Sequence, residues 1–375
     1  MTQHAPFTFL EFFAGGGMAR TGLGAGWRCL FANDIDAAKA QAYRANFGGE
    51  DLTCGDVWSL DARVLPGHAD LAWASSPCQD LSLAGGRQGL AGQRSSAFWG
   101  FWRLMEQLAS EDRAPRAIGI ENVTGLLSSH AGADFTALCG ALASLGYRFG
   151  ALEIDAAMFV PQSRPRLFVL AVKDGGPVAG GPGGFHTPAV MKAFERLPEA
   201  LKASWIWWRA PPPPRANAAL ADLLEPDDDV RWLPEAEAER LVSLMAPLHR
   251  ARLDGFRLTE GRHVGTAFRR TRMEQGQRIQ RAEVRFDGIA GCLRTPTGGS
   301  SRQFLVLVEE GQVRARLLTA REAARLMGLP DDYRLPASAT AALHLAGDGV
   351  VAPVVRHLAA HLLEPVLSGS DRAAA

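Results

Sequence analysis

The chain has 375 residues, 47% of them hydrophobic and 21% charged, which excludes wholesale disorder and collagen-like repeats and leaves room for about two domains. Forty basic and forty acidic residues cancel, so the molecule is no polycation and any nucleic-acid contact has to come from a local patch. Five cysteines, at 29, 54, 78, 139 and 292, show no CxxC spacing; that argues against a disulfide scaffold or a standard zinc site and fits a reducing cytoplasm. No secretory leader and no apolar run of membrane-spanning length stands out, so neither membrane nor metal is expected. In chain order, Phe7–Phe12 reads as a strand, Gly15–Gly17 as a turn and Met18 as the start of a helix. Cys29–Phe31 begins a second strand, Ala37–Asn46 has helical spacing, and Ala69–Ala74 is a third apolar run stopped by Ser75, Ser76 and Pro77. A helix at Phe98–Leu108, a strand at Ala117–Ile120, a helix at Phe135–Leu145 and extended runs at Tyr147–Ile154 and Leu167–Val172 follow. Alternation of this kind is the signature of a doubly wound α/β sheet.

Beyond Asp174 the composition changes. A Gly/Pro-rich stretch, the polyproline run Pro211–Pro214 and an acidic segment at 222–239 lead to residues 250–302, where twelve arginines face five acids. Helical spacing returns at Ala320–Met327 and Val354–Leu363. Trp205, Trp207 and Trp208 are read as core of a smaller domain rather than as base wedges.

Four constellations sit at predicted strand ends, where open α/β sheets bind ligands. Phe13-Ala14-Gly15-Gly16-Gly17 lets the backbone turn sharply and approach a ligand, although the spacing is not GxGxxG. Asp34, about twenty residues on, is placed for a ribose hydroxyl pair, and Gly55-Asp56-Val57 for an adenine edge. Singly each reads as a tight turn or a surface acid; in this order they point to an adenosine-containing cofactor. Cys78, between Pro77 and the polar Gln79-Asp80, is either a low-pKa nucleophile or a small buried hydrophobe, and its neighbours favour the former. Glu121 of Glu121-Asn122-Val123 can be kept protonated and donate to a ring nitrogen, the bland alternative being a helix cap. Arg164 and Arg166 suit a carbonyl or phosphate oxygen, or form a solvated turn.

In this order FFAGGG, NDID, GDV, SSPCQ, ENV and QSRPRLFVL resemble the motif series of the DNA (cytosine-5) methyltransferases. REAARLMGLPDDY and GDGVV resemble that family's C-terminal motifs. The resemblance covers residues 7–172 and 285–365. It implies a Rossmann-like S-adenosylmethionine-dependent methyltransferase sheet plus a smaller target-recognition domain. The implied domains are catalytic residues 1–175, a recognition domain and hinge at 176–345, and a segment at 346–375 returning to the catalytic domain. By resemblance Phe13, Gly15, Gly17, Asp34, Asp56, Val57, Pro77 and Asp348 meet the cofactor. Cys78 is the nucleophile, Glu121 acts at cytosine nitrogen 3, and Arg166 holds the ring carbonyl with Arg164 beside it. Gln79 and Ser82 would contact double-stranded DNA, as would Arg269, Arg270, Arg272, Arg278, Arg281 and Arg285. A solvated arginine face accounts for about half of these six. Asp348 departs from the asparagine usual in the last motif. A monomer is expected, and a cognate restriction endonuclease is a conceivable partner. A tRNA cytosine-5 methyltransferase or a DNA-binding regulator with little turnover are the competing readings. The insertion at 176–284 favours a duplex reader, and intact Pro77-Cys78, Glu121 and Arg166 favour turnover.

Overall fold

A computed structural model describes residues 6–77, 97–173, 180–214, 219–295 and 302–369. The chain divides into two compact units. The first takes Met1–Asp155, Pro165–Pro213 and Val350–Ala375; the second takes Ala156–Arg164 and Pro214–Gly349. This division differs from the boundaries expected from sequence at both ends of the insertion. Residues 180–213 stay with the first unit because the Phe149 backbone donates to Ser204 O at 2.9 Å and accepts from the Ile206 N–H at 2.6 Å. Gly150 admits that crossing strand: a Cβ there would lie 2.0 Å from the Ile206 oxygen. Trp205 packs edge-on to Phe135 and Phe149, and Trp208 donates to the Leu170 carbonyl at 3.0 Å. The tryptophans therefore belong to the core of the first unit, not to that of a smaller domain.

The first unit contains β1 (Phe7–Phe12), α1 (Met18–Leu23), β2 (Trp27–Asp34), α2 (Ala37–Phe47), β3 (Leu52–Cys54) and β4 (Leu71–Ala74). It continues with α3 (Ala97–Ser110), β5 (Ala117–Asn122), α4 (Ala133–Ser144), β6 (Arg148–Asp155), β7 (Pro165–Val172), α5 (Pro188–Glu195) and α6 (Glu199–Lys202). The described strands form one sheet in the order β3-β2-β1-β4-β5-β7-β6. All neighbours run parallel except β7, which is antiparallel to both β5 and β6. Strand order reverses between β1 and β4, so the loops leaving these two strands open a crevice at their carboxyl ends. Near-continuous burial along β4, β5 and β7 matches a sheet covered on both faces. Helix α3 supplies one cover, burying Phe98, Phe101, Trp102, Met105 and Leu108 along one stripe.

The second unit holds α7 (Glu235–Ser243), α8 (Pro247–Arg257), β8 (Arg262–Glu274), β9 (Gln277–Arg285), β10 (Gln303–Glu309), β11 (Gln312–Leu317), α9 (Ala320–Leu326) and α10 (Ala339–Asp348). Its four described strands make an antiparallel sheet, β11-β10-β8-β9. Val306, Val308, Ala267 and Val284 from the sheet pack on Leu241, Met245 and Leu253 from the helices. Arg316 and Glu322 form a fully buried ion pair at 2.6 Å, and Glu322 also closes a capping box with Thr319 at the start of α9.

The chain then returns to the first unit as α11 (Ala352–Leu358) and α12 (Glu364–Leu367), joined by one wide turn at Ala359–Leu363. The continuous helix expected over Val354–Leu363 loosens there. Pro365 has no N–H for the carbonyl four residues back, and the Glu364 N–H bonds instead to Ala359, five back. By length and composition alone Ala339–Leu367 is apolar enough to cross a membrane. It is broken around Gly349, and 67% of its most apolar window is buried in the fold, as befits core helices.

Candidate active site

The glycine turn after β1 is built on left-handed backbone: φ is 57° at Phe13, 56° at Gly15 and 78° at Gly17. The two glycines serve different ends. A Cβ at Gly17 would strike the Phe47 ring at 2.4 Å, whereas a Cβ at Gly15 would meet nothing within 4 Å. Gly15 therefore faces open space, the cradle that a close-approaching ligand needs. Its N–H donates to Asp34 Oδ2 at 2.7 Å, and the Asp36 N–H donates to Asp34 Oδ1 at 2.8 Å. Burial raises the Asp34 carboxyl above its ordinary value, opposed by those two N–H bonds.

At the next strand end Asp56 accepts from the Trp58 N–H at 3.0 Å and Val57 is buried beneath it. Asn33 ties the β2 and β3 ends together, its amide donating to the Thr53 and Gly55 carbonyls. Ile35, beside Asp34, is 69% exposed. Neither Asn33 nor Ile35 was singled out from sequence; an aliphatic residue between two acids at a strand end was the available signal. The carboxyl ends of β1, β2 and β3 thus bring Phe13, Gly15, Asp34, Asp56 and Val57 together along one edge, all within the first unit.

The second cluster lies at the ends of β4, β5 and β7. Trp73 Nε1 donates to Ser75 Oγ at 3.0 Å. Buried Asn122 donates from Nδ2 to both the carbonyl and the Oγ of Ser76, at 3.2 and 3.3 Å. The backbone leading into Pro77 is thereby fixed against β5. Next to Asn122 the Glu121 side chain is buried, and Arg166 Nε lies 3.3 Å from its Oε1. Cys78, Gln79 and Ser82 fall in 78–96, outside the described residues.

Arg164 is placed differently from Arg166. Its guanidinium is buried in the second unit and donates to the carbonyls of Leu293 (2.9 Å), Gly347 (2.8 Å) and Gly349 (2.7 Å). Its guanidinium is thus engaged with backbone, whereas that of Arg166 faces Glu121. Gln162, passed over in the sequence, is fully buried and bridges Leu326 O to Leu293 N. Asp348 accepts from Thr295 Oγ1 within the same unit.

The six candidate arginines lie on β8 and β9. Arg270 and Arg272 pair with Glu283, Arg281 with Glu274 and Arg285 with Asp287. Arg269 lies over the Phe304 ring at 5.0 Å. Four of the six expected phosphate contacts thus already pair with carboxylates, three carboxylates for four guanidinium groups. Among the described residues no cluster of His, Cys, Asp or Glu is placed to hold a metal ion.

A seven-stranded sheet in this order, with one reversed strand, is typical of S-adenosylmethionine-dependent methyltransferases. Residues 7–364 match the C-5 cytosine-specific DNA methylase family, and the chain belongs to it; it is a DNA (cytosine-5)-methyltransferase. The type II methyltransferase M.NlaX of Neisseria lactamica is 28% identical over 370 residues, covering 98% of this chain and 99% of the relative. M.HhaI of Haemophilus parahaemolyticus is 26% identical over 353 residues, 94% and 92% of the two chains. In fold, the S. pombe Dnmt2 methyltransferase matches with a TM-score of 0.60 at 18% identity, covering 96% of this chain and 99% of that one.

Proposed function

We propose that the enzyme methylates carbon 5 of a cytosine flipped out of duplex DNA, through a covalent bond from Cys78. The observation that carries this reading is the junction of β4, β5 and β7. There Asn122 pins Ser76, one residue before Pro77-Cys78, beside the buried Glu121–Arg166 pair. Cytosine carbon 5 is too weak a nucleophile to take a methyl group directly. Addition of the Cys78 thiolate to carbon 6 converts the ring to an enamine with a nucleophilic carbon 5. Glu121 supports the charge developing on the ring by hydrogen bonding at nitrogen 3, and Arg166 binds the carbonyl oxygen while orienting Glu121. After transfer, loss of the carbon-5 proton and departure of the thiolate restore the aromatic ring. A paired base is out of reach of such a site, hence the flipping.

The family uses S-adenosylmethionine, which when bound supplies the methyl group. The residues fit it: open space in front of Gly15, a carboxylate at Asp34 suited to a vicinal diol, and Asp56 and Val57 at the next strand end. Phe13 and Gly17 shape that turn. In this reading the enzyme works in the cytoplasm as a modification methyltransferase, alone or alongside a restriction endonuclease.

Duplex DNA carrying 5-fluorocytosine at the target tests the covalent step, because fluorine cannot leave as a proton does. Wild-type enzyme with S-adenosylmethionine should form an adduct stable to denaturation. Cys78→Ser should form none and should transfer methyl groups at least about a thousandfold more slowly, roughly 4 kcal/mol of barrier. Near-normal turnover by Cys78→Ser would sink the mechanism.

A further inference from the structure

The β8–β9 hairpin has two unlike faces. Antiparallel register sets Arg270 opposite Arg281 and Glu274 opposite Gln277. With Arg272 and Glu283 these share one face, on which every arginine is answered by a carboxylate. The opposite face starts in the core, where Ala267, Ala282 and Val284 are buried. It runs outward to Thr271 opposite Gln280 and Met273 opposite Arg278. No acid stands on this second face. Its four outer side chains are exposed, Met273 by 66%, and make no hydrogen bond or ion pair with another described residue. The two-residue turn Gln275-Gly276, both at positive φ (49° and 78°), keeps the ribbon narrow to its tip.

These side chains have the chemistry of base edges rather than of phosphates. A guanidinium matches the paired acceptors of guanine and a carboxamide the donor and acceptor of adenine, while methyl and thioether groups suit the thymine methyl. A two-stranded ribbon also fits the major groove of B-form DNA, whereas the deep, narrow groove of duplex RNA excludes it. Charge complementarity selects the face: the acid-free side can approach a polyanion, and the other already carries its own counter-charges. We propose that Thr271, Met273, Arg278 and Gln280 enter the major groove and read bases flanking the target cytosine. The ion-paired arginines on the other face then brace the ribbon. This rests on duplex DNA being the substrate and not on the covalent role of Cys78.

The test is methylation of a duplex library randomised around a cytosine, with the methylated positions sequenced. Wild-type enzyme should give a defined flanking motif. Arg278→Ala and Gln280→Ala should each relax one or two positions of it by about ten- to hundredfold, while total methyl transfer to the library persists. Arg281→Gln, on the opposite face, should leave the motif unchanged. A motif identical to wild type in both the Arg278 and Gln280 variants, even with slower transfer to all sequences, would overturn the proposal. Relaxation by Arg281→Gln in place of those two would overturn it as well, by assigning reading to the other face.

Discussion

Glu11 is the last but one residue of β1, shortly before the glycine turn, and is 1% exposed. One carboxyl oxygen accepts from the Arg20 N–H at 3.3 Å, and the other is buried without a partner. Burial pushes its pKa to about 8, with Arg20 opposing. The folded protein therefore holds a proton on Glu11 up to about pH 8, whereas the unfolded chain releases it near 4.5. The unfolded state binds fewer protons between those values, so this group's contribution to stability falls as pH rises from about 4.5 to 8. Glu11→Gln imitates the protonated form. It should match wild type near pH 5 and exceed it at pH 8.5 by roughly 1 to 3 kcal/mol, read from urea titrations at the two pH values. A variant less stable than wild type at pH 8.5 would mean that Glu11 is ionised and held by Arg20.

At the scale of elements, the site depends on how the end of β4 is tied to the end of β5. Asn122 makes that tie with both ends of its amide, donating to Ser76 and accepting from the Val123 N–H at 2.9 Å. Asn122→Asp keeps the acceptor and loses the donor; Asn122→Ala loses both. Each should lower single-turnover methyl transfer at least about tenfold by loosening the approach to Cys78, with S-adenosylmethionine affinity unchanged. Both variants should also lose about 1 to 3 kcal/mol of stability, the aspartate because its buried carboxylate would face the Ser76 carbonyl, measured by melting. Much of this layer was legible in sequence. The runs around Phe9, Ala72, Ile118 and Val169 are apolar enough to fix the first sheet, and the turns after them carry small or polar residues at the strand ends. What escaped was non-local. Nothing near Arg164 in the chain shows that its guanidinium answers carbonyls at 293, 347 and 349. Nor does anything near Trp205 show that β6 awaits it. The β8–β9 ribbon lacked a strand signal because its outer half is polar on both faces, and only pairing reveals which arginines meet acids.

For the whole molecule, net neutrality means that DNA affinity is decided by which charges remain unpaired. Replacing Arg270, Arg272, Arg281 and Arg285 together by Gln should change the slope of log affinity against log salt by less than about one unit. The same exchange at Arg278 alone should lower it by about one. Equal effects from both sets, measured by fluorescence anisotropy across a salt series, would show that the ion pairs open on binding. The discontinuity of the first unit has a separate consequence, for synthesis on the ribosome. Helix α1, which follows directly on the glycine turn, is covered by α11, with Gly22 so close that a Cβ would lie 2.5 Å from the Ala352 carbonyl. Trp27 and Arg356 both close on Glu364. The 330 positions from Gly22 to Ala352 separate the two halves of that contact, so the nascent chain carries its glycine turn on an unsupported helix. A polypeptide ended at Gly349 should therefore leave the α1 face bare and melt well below the full chain, read by circular dichroism.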